Sequence, residues 1–337
     1  MIFRSRAPVR LELAGGATDM PPYDKEHGGI VVNAAINKYA YTTLIPRADN
    51  KVAINSVNYN TNLVLDDVKR IVYDGKLDMV KACIKLMQPD FGFDLILKSD
   101  VPLSCGLGSS ASAAVSLIGM LNYVLKKKMN LYDVAELAFE VEDEIKNAGG
   151  RQDQYASAFG KINFMEFKGD SFVRVNPIPI RKRHRLELEK HALITHIGLR
   201  DSVTGSGKIV ADQQKSYSKE EKKIQLDKMK EITFQMRDAL MAGDLRRFGE
   251  LLSEEWKEKT IMNPVITTDY VENLRKIAAE NGAIGSRLMG AGRGGFLIVY
   301  CDDNKEHAVA NKLEEAGTRV SPFAFDFDGM QVWETNK

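Results

Sequence analysis

Val101-Pro102-Leu103-Ser104-Cys105-Gly106-Leu107-Gly108-Ser109-Ser110-Ala111-Ser112 runs a glycine- and serine-rich loop directly into an alanine-rich helical pattern. Glycines in such a loop let the backbone turn tightly and approach a ligand. The first turn of the following helix adds unpaired N–H groups and the positive end of a dipole. The stretch therefore reads as a phosphate cradle formed by Ser104, Cys105, Gly106, Leu107, Gly108, Ser109 and Ser110. Behind it Ala111, Val115, Ile118 and Leu125 recur at helical spacing, with no proline before Lys126-Lys127-Lys128. Gly-x-x-x-x-Gly-Lys-Ser/Thr does not occur and no lysine follows the glycines, so a nucleotide fold other than the P-loop one is indicated.

The bulk properties place the cradle in a globular protein. A chain of 337 residues with 44% hydrophobic and 28% charged content can bury a sizeable core, and its length suits two domains. Lysine plus arginine total 47 against 46 acids, a formal net charge of +1, which gives no general electrostatic case for a nucleic acid or an anionic membrane as partner. Cys83, Cys105 and Cys301 lack metal-ligand spacing and read as small buried hydrophobes in a reducing compartment. The five histidines are scattered, with no pair four apart on one helix, which argues against zinc. Neither a secretion signal nor a membrane-spanning run is evident, so a cytoplasmic enzyme is expected.

Along the chain, residues up to about 100 read as strands and polar turns, among them Ile30–Val32, Tyr39–Ile45 and Phe93–Leu97. Two helices follow: the one at the cradle, and one capped by Asn130 with Asp133 in its first turn that runs to Gly149-Gly150. In the second, Val134, Leu137, Ala138, Val141 and Ile145 form an apolar stripe. Glu136, Glu140 and Asp143 point away from the stripe, whereas Glu142 and Glu144 flank it, so geometry leaves these two as candidate acids facing the cradle. The basic stretch Arg181–Arg185, after Pro177 and Pro179, reads as a solvated linker dividing domains 1–183 and 184–337. Beyond it lie a strand at Ala192–Thr195, helices at about 220–241, around Phe248–Trp256, around Val271–Ala278 and at Glu306–Ala316, a buried strand at Gly295–Tyr300, and a closing strand at Arg319–Phe327. This order suits an α+β second domain.

Two further segments, Ala7-Pro8-Val9-Arg10-Leu11-Glu12-Leu13-Ala14-Gly15-Gly16-Ala17-Thr18-Asp19 and Leu288-Met289-Gly290-Ala291-Gly292-Arg293-Gly294-Gly295-Phe296, stand on either side of the cradle. In order and spacing the three resemble the signature motifs of the GHMP small-molecule kinases, across almost the whole chain. Within that family the resemblance is greatest to the D-glycero-D-manno-heptose 7-phosphate kinases. It is carried by Leu13–Asp19, Gly149-Gly150-Arg151-Gln152-Asp153-Gln154-Tyr155-Ala156, Arg246–Leu252 and Val320–Phe325. The resemblance implies an α+β fold with a ribosomal-S5-like first domain and a ferredoxin-like second one. It also implies ATP and Mg²⁺ as cofactors, and a kinase acting on the anomeric hydroxyl of a sugar phosphate. The alternatives are another sugar 1-kinase of fucose or galactose type, and a non-catalytic sensor of nucleotide and sugar. Sequence does not fix the oligomeric state.

The same resemblance distributes roles. Ser110 matches the family's magnesium serine, and Phe139-Glu140-Val141-Glu142 selects Glu142 as the metal carboxylate, although the run from Glu142 to Asp153 is one residue short of the usual heptose-kinase spacing. Asp153 matches the aspartate that orients or deprotonates the acceptor hydroxyl, and Arg10 the basic residue beside it. On the substrate side Asp19 matches a sugar-hydroxyl ligand, Gly15, Gly16 and Thr18 allow close approach, Gln152 adjoins Asp153, and Gly290, Ala291 and Gly292 make a compact loop. Arg200, with Lys208 second, is the expected cation for a distal phosphate. Ser104-Cys105 departs from the commoner Gly-Ser of the cradle. Arg293 interrupts the glycine run of the third motif, where it either reaches a phosphate oxygen or faces solvent.

Overall fold

The computed structural model describes residues 1–336 except Tyr59, Leu103 and residues 170–171, 200–209 and 212–219. Its first sheet is built by β1 (Ile2–Ala14), β2 (Gly29–Pro46), β3 (Val52–Ser56) and β4 (Thr61–Leu65), with the short helix α1 (Tyr23–His27) between β1 and β2. Helix α2 (Asp78–Met87) and strand β5 (Phe93–Ser99) precede the helices α3 (Ser109–Leu125), α4 (Leu131–Glu144) and α5 (Gln152–Phe159), and β6 (Ile162–Phe167) and β7 (Val173–Pro177) follow. After α6 (Lys182–His191) come β8 (Ala192–His196), α7 (Glu220–Ala242), α8 (Leu245–Met262), α9 (Asp269–Glu280), β9 (Ala283–Leu288), β10 (Phe296–Cys301), α10 (Glu306–Glu315), β11 (Arg319–Ser321) and β12 (Gln331–Thr335).

The long strand β2 organises the first sheet, because its first half pairs with β6 and its second half with β5. The strand order is β12-β1-β2-β5-β3-β4, with β6 and β7 attached through β2, and a second, four-stranded antiparallel sheet has the order β11-β8-β10-β9. A register shift between Pro8 and Val9 re-aims β1. Beyond it Val9, Leu11 and Leu13 join a core with Ile194, Met236, Leu251 and Ile298 of the second half. By strand alternation Arg10 and Glu12 then take the opposite face, where α3 and α5 pack on β1. The α+β class, with two sheets, is as expected from the sequence.

Four local readings need correction. The helix after Asn130 has the expected cap, a reciprocal capping box with Asp133, but ends at Glu144, five residues before Gly149, and the chain leaves it with Lys146 at φ 56°. Arg181–Arg185 is not a linker: Lys182–His191 is helical because Leu188 and His191 find buried positions while the basic side chains at 181–183 stay exposed. Helix α2 went unread because no Ser, Thr, Asp or Asn caps it; Leu77, in the left-handed region, stands at its N-cap. The strand read at Arg319–Phe327 stops at Ser321, where Pro322 offers no N–H to continue the ladder, and the closing strand is β12, which returns to pair with β1.

Candidate active site

Helix α3 begins without a side-chain cap. Gly108 stands at its N-cap with φ 70°, and the backbone ladder starts with Ser112 N–H donating to Gly108 O at 3.0 Å. The N–H groups of the first turn thus face outward beside the loop, the arrangement that receives an anion. One cavity is lined there by Ser104, Gly106, Gly108, Ser109 and Ser110, by Arg10, Glu12 and Asp19, by Glu142, Gly149, Gly150, Gln152 and Asp153, and by Lys259, Gly290 and Ala291. All three motifs therefore meet at one place.

Asp153 sits in the first turn of α5, and the glycine at 150 leaves room for a neighbour: a side chain there would collide with the Asp19 carboxylate, which would have to shift. Arg10 grips Asp153 with a fork, Nε to Oδ1 at 2.8 Å and Nη2 to Oδ2 at 2.9 Å, and its Nη1 donates to Gly106 O at 2.5 Å. Asp153 is thereby fixed against the cradle, and a Cβ on Gly108 would stand 3.1 Å from its Oδ2. Burial raises the Asp153 carboxyl above the usual carboxylate range against the pull of the Arg10 charge. For Arg10, burial opposes the charge, but Asp153 and Glu12 outweigh it and hold the guanidinium up.

Glu142 is 8% exposed and lines the cavity, whereas Glu144 accepts hydrogen bonds from Lys85 Nζ at 2.5 Å and the Tyr73 hydroxyl at 3.0 Å on another surface. Burial, with the charges of Asp153 and Asp143, raises Glu142 to about 8. Asp19, 2% exposed, accepts from Ala17 N at 3.2 Å and Gln152 N at 3.2 Å, and burial with the charges of Glu12 and Asp153 raises it to about 7. Ser110 and Glu142 offer one hydroxyl and one carboxylate beside a phosphate cradle, a donor set that suits magnesium shared with phosphate oxygens. No cluster of three or more His, Cys, Asp or Glu able to hold a metal by itself occurs among the described residues.

Several expected site residues lie behind the cavity rather than in its wall. Cys105 and Leu107 are fully buried and pack into the central core. Gly15 donates its N–H to Glu255 Oε1 at 2.8 Å, a side chain on Gly16 would meet the Glu12 carboxylate, and the Thr18 hydroxyl lies 2.8 Å from both Gly15 O and Ile30 O. These residues shape the first motif without facing the cavity. Gly290 presses on the cradle, where a Cβ would come 2.9 Å from Gly106 Cα, while Gly292 packs on Ile266. Arg293 turns away: its N–H and Nη1 donate to Ile266 O at 2.6 Å and Val265 O at 3.3 Å. Arg200 and Lys208 lie outside the described residues.

The sequence reading missed a buried charge network under the third motif. Glu12 Oε1 accepts from Lys259 Nζ at 2.6 Å and from Arg287 Nη2 at 2.5 Å, and Arg287 Nη1 stands 3.7 Å from Glu255 Oε1. Although burial works against it, the charges of Lys259 and Arg287 hold Glu12 down to about 2, while burial raises Glu255 to about 7. The available signal was position: Glu255 and Lys259 occupy the same helical face as Phe248, Leu252 and Trp256, where a solvated charge does not belong.

Residues 78–161 match the GHMP kinases N terminal domain and residues 236–319 match the GHMP kinases C terminal domain. The chain is 32% identical to D-glycero-alpha-D-manno-heptose 7-phosphate kinase of Campylobacter jejuni, over 98% of each chain. It is 25% identical to the galactokinase of Thermococcus kodakarensis, over 95% of each. Among solved structures, a D-glycero-D-manno-heptose 1-phosphate kinase from Bacteroides thetaiotaomicron superposes with a TM-score of 0.84 at 26% identity, covering 99% of this chain and 100% of that one. The two-domain fold expected from the sequence is the fold these relatives share.

Proposed function

Because this chain belongs to the GHMP kinase family, we propose that it is an ATP-dependent kinase that phosphorylates the anomeric hydroxyl of D-glycero-D-manno-heptose 7-phosphate to give the 1,7-bisphosphate. The observation that carries the reading is the Arg10–Asp153 fork, held between a phosphate cradle and a polyol-binding aspartate, Asp19, in one cavity. Full-length similarity to a heptose 7-phosphate kinase supports the acceptor.

Phosphoryl transfer asks the protein mainly to align two substrates and to neutralise charge on the migrating group. The first-turn N–H groups of α3, with Gly106 and Gly108, take the triphosphate oxygens. A second cavity of about 690 Å³ opens beside them, shares Ser109 and Ser110, and is lined also by Tyr41, Asn62 and Lys98, which suits the nucleoside end. Ser110 and Glu142 would hold Mg²⁺, which would offset the negative charge of the phosphates. Asp153 accepts the proton of the anomeric hydroxyl while Arg10 keeps its carboxylate in place and faces the charge that develops on the transferring group. Asp19, acceptor-only when ionised, takes hydroxyl protons of the sugar. The domain division is taken at 183/184, within the first turn of α6.

ADP release over a panel of sugars and sugar phosphates tests the proposal. The highest kcat/KM is expected for the heptose 7-phosphate. Higher values for fucose or galactose would reassign the acceptor, and no turnover with any member would favour a non-catalytic sensor.

A further inference from the structure

Among the described residues of the cavity wall, Lys259 stands out because it is a cation that the triphosphate-side machinery leaves unused. Arg10 spends three of its five N–H donors on Asp153 and Gly106 O, which turns it toward the cradle. Lys259, 3% exposed on α8, lines the same cavity and donates to Glu12 Oε1 at 2.6 Å and Gly290 O at 3.2 Å. An ammonium has three N–H donors, so one is left for the cavity.

Its neighbours belong to the acceptor side. Glu12 Oε2 accepts from Gln152 Nε2 at 3.3 Å, and the same amide nitrogen stands 3.4 Å from Asp19 Oδ1. Lys259, Glu12, Gln152 and Asp19 are thus one connected patch. The patch is rich in acceptors: Asp19, and Gln152 Oε1, which is buried without a hydrogen-bond partner in a residue 4% exposed. A sugar hydroxyl both donates and accepts, and a patch of acceptors alone satisfies only its proton. Lys259 supplies the complementary donor. Glu12, held ionised and shared with Arg287, offsets part of the positive charge of Lys259. What Lys259 then offers a sugar hydroxyl is a directed donor.

We propose that Lys259, oriented by Glu12 and Gly290, is a specificity-determining residue that donates a hydrogen bond to one hydroxyl oxygen of the acceptor sugar; the assignment rests on the kinase reading above. Nothing in the sequence resemblance assigned it a role.

The test pairs enzyme and substrate changes. Wild type and Lys259→Gln are compared on the accepted sugar phosphate and its monodeoxy analogues. In wild type the analogue lacking the recognised hydroxyl loses about tenfold to about a hundredfold in kcat/KM, the range for a hydrogen bond to a charged group. In Lys259→Gln the parent sugar shows that loss, the penalty for that analogue falls below about threefold, and the KM for ATP stays within about threefold. An unchanged pattern of deoxy penalties overturns the proposal, as does a loss confined to the KM for ATP. If Lys259→Gln shows no cooperative thermal unfolding transition and so fails to fold, Lys259→Arg is the substitute: it keeps the charge but displaces the donor. For that variant a rise in acceptor KM of about tenfold or more supports the role and an unchanged acceptor KM overturns it. A wild-type enzyme inactive on every sugar phosphate overturns the function and this assignment together, whereas flat penalties in an active enzyme remove Lys259 alone.

Discussion

At the residue scale the account turns on which carboxylates stand in the cavity and in what protonation state. Replacing Asp153 with Asn removes the proton acceptor and one of the two fork hydrogen bonds while keeping the side chain's size, so kcat is expected to fall by about two to four powers of ten with ATP binding retained. A loss under about tenfold would leave Asp153 a positioning role only, since a loose transition state needs little help from a base. Ser110→Ala and Glu142→Ala should each raise the magnesium concentration for half-maximal rate, and Glu144→Ala should not, because Glu144 is bonded to Lys85 and Tyr73 elsewhere. A magnesium defect in Glu144→Ala alone would reverse the assignment. Asp153, Arg10, Asp19 and the Glu142/Glu144 alternative were legible because short motifs carry them. Lys259 and Arg287 were not, since each lies in an amphipathic helix or strand where only the three-dimensional partner, Glu12, explains a buried cation.

At the level of elements, helix starts decide the site. Helix α3 leaves its first turn uncapped for a ligand, whereas α4 closes its own with Asn130 and Asp133. Asn130→Ala is therefore expected to cost about 1 kcal/mol of stability, read by denaturant unfolding, with kcat/KM within about twofold of wild type at 25 °C. A large activity loss at unchanged stability would mean that α4 reports directly on the cavity. Gly290→Ala should behave oppositely. Its φ of 68° and the approach to Gly106 leave no room for a Cβ, so the third motif must retreat from the cradle and the KM for ATP should rise with modest loss of stability. The capped helix was readable from sequence because its signal is local; α2 and the early end of α4 were not, because left-handed residues such as Leu77 and Lys146 carry no such signal.

Across the whole molecule, the two halves are joined at the site by charges as well as by the apolar core. Glu12 and Gly15 of the first half meet Lys259, Arg287 and Glu255 of the second. Breaking a buried pair of this kind costs about 3–5 kcal/mol. Arg287→Met should therefore lower stability by that order in thermal or denaturant unfolding, and a neutral effect would show that the network is dispensable. The cavity also carries a pH signature. Asp19 near 7 and Glu142 near 8 bind protons more tightly folded than unfolded. The stability they confer is complete below about pH 4, the unfolded carboxylate range, and is lost as pH rises through about 7 to 8. Ligand-free protein should accordingly lose thermal stability between about pH 4 and 8, and Glu142→Gln should lose less; an equal loss in both would place the titrating groups elsewhere. The overall architecture was legible because three motifs spaced over the whole chain fix it, whereas the return of β12 to β1 depends on a long-range pairing with no local mark. The central claim, transfer to an anomeric oxygen, is tested most directly by following phosphorus NMR of D-glycero-D-manno-heptose 7-phosphate with ATP, Mg²⁺ and enzyme. One new sugar phosphate resonance coupled to the anomeric proton should grow in step with ADP and be lost in Asp153→Asn; phosphate appearing on any other hydroxyl, or ADP released without a new sugar phosphate, would contradict the account.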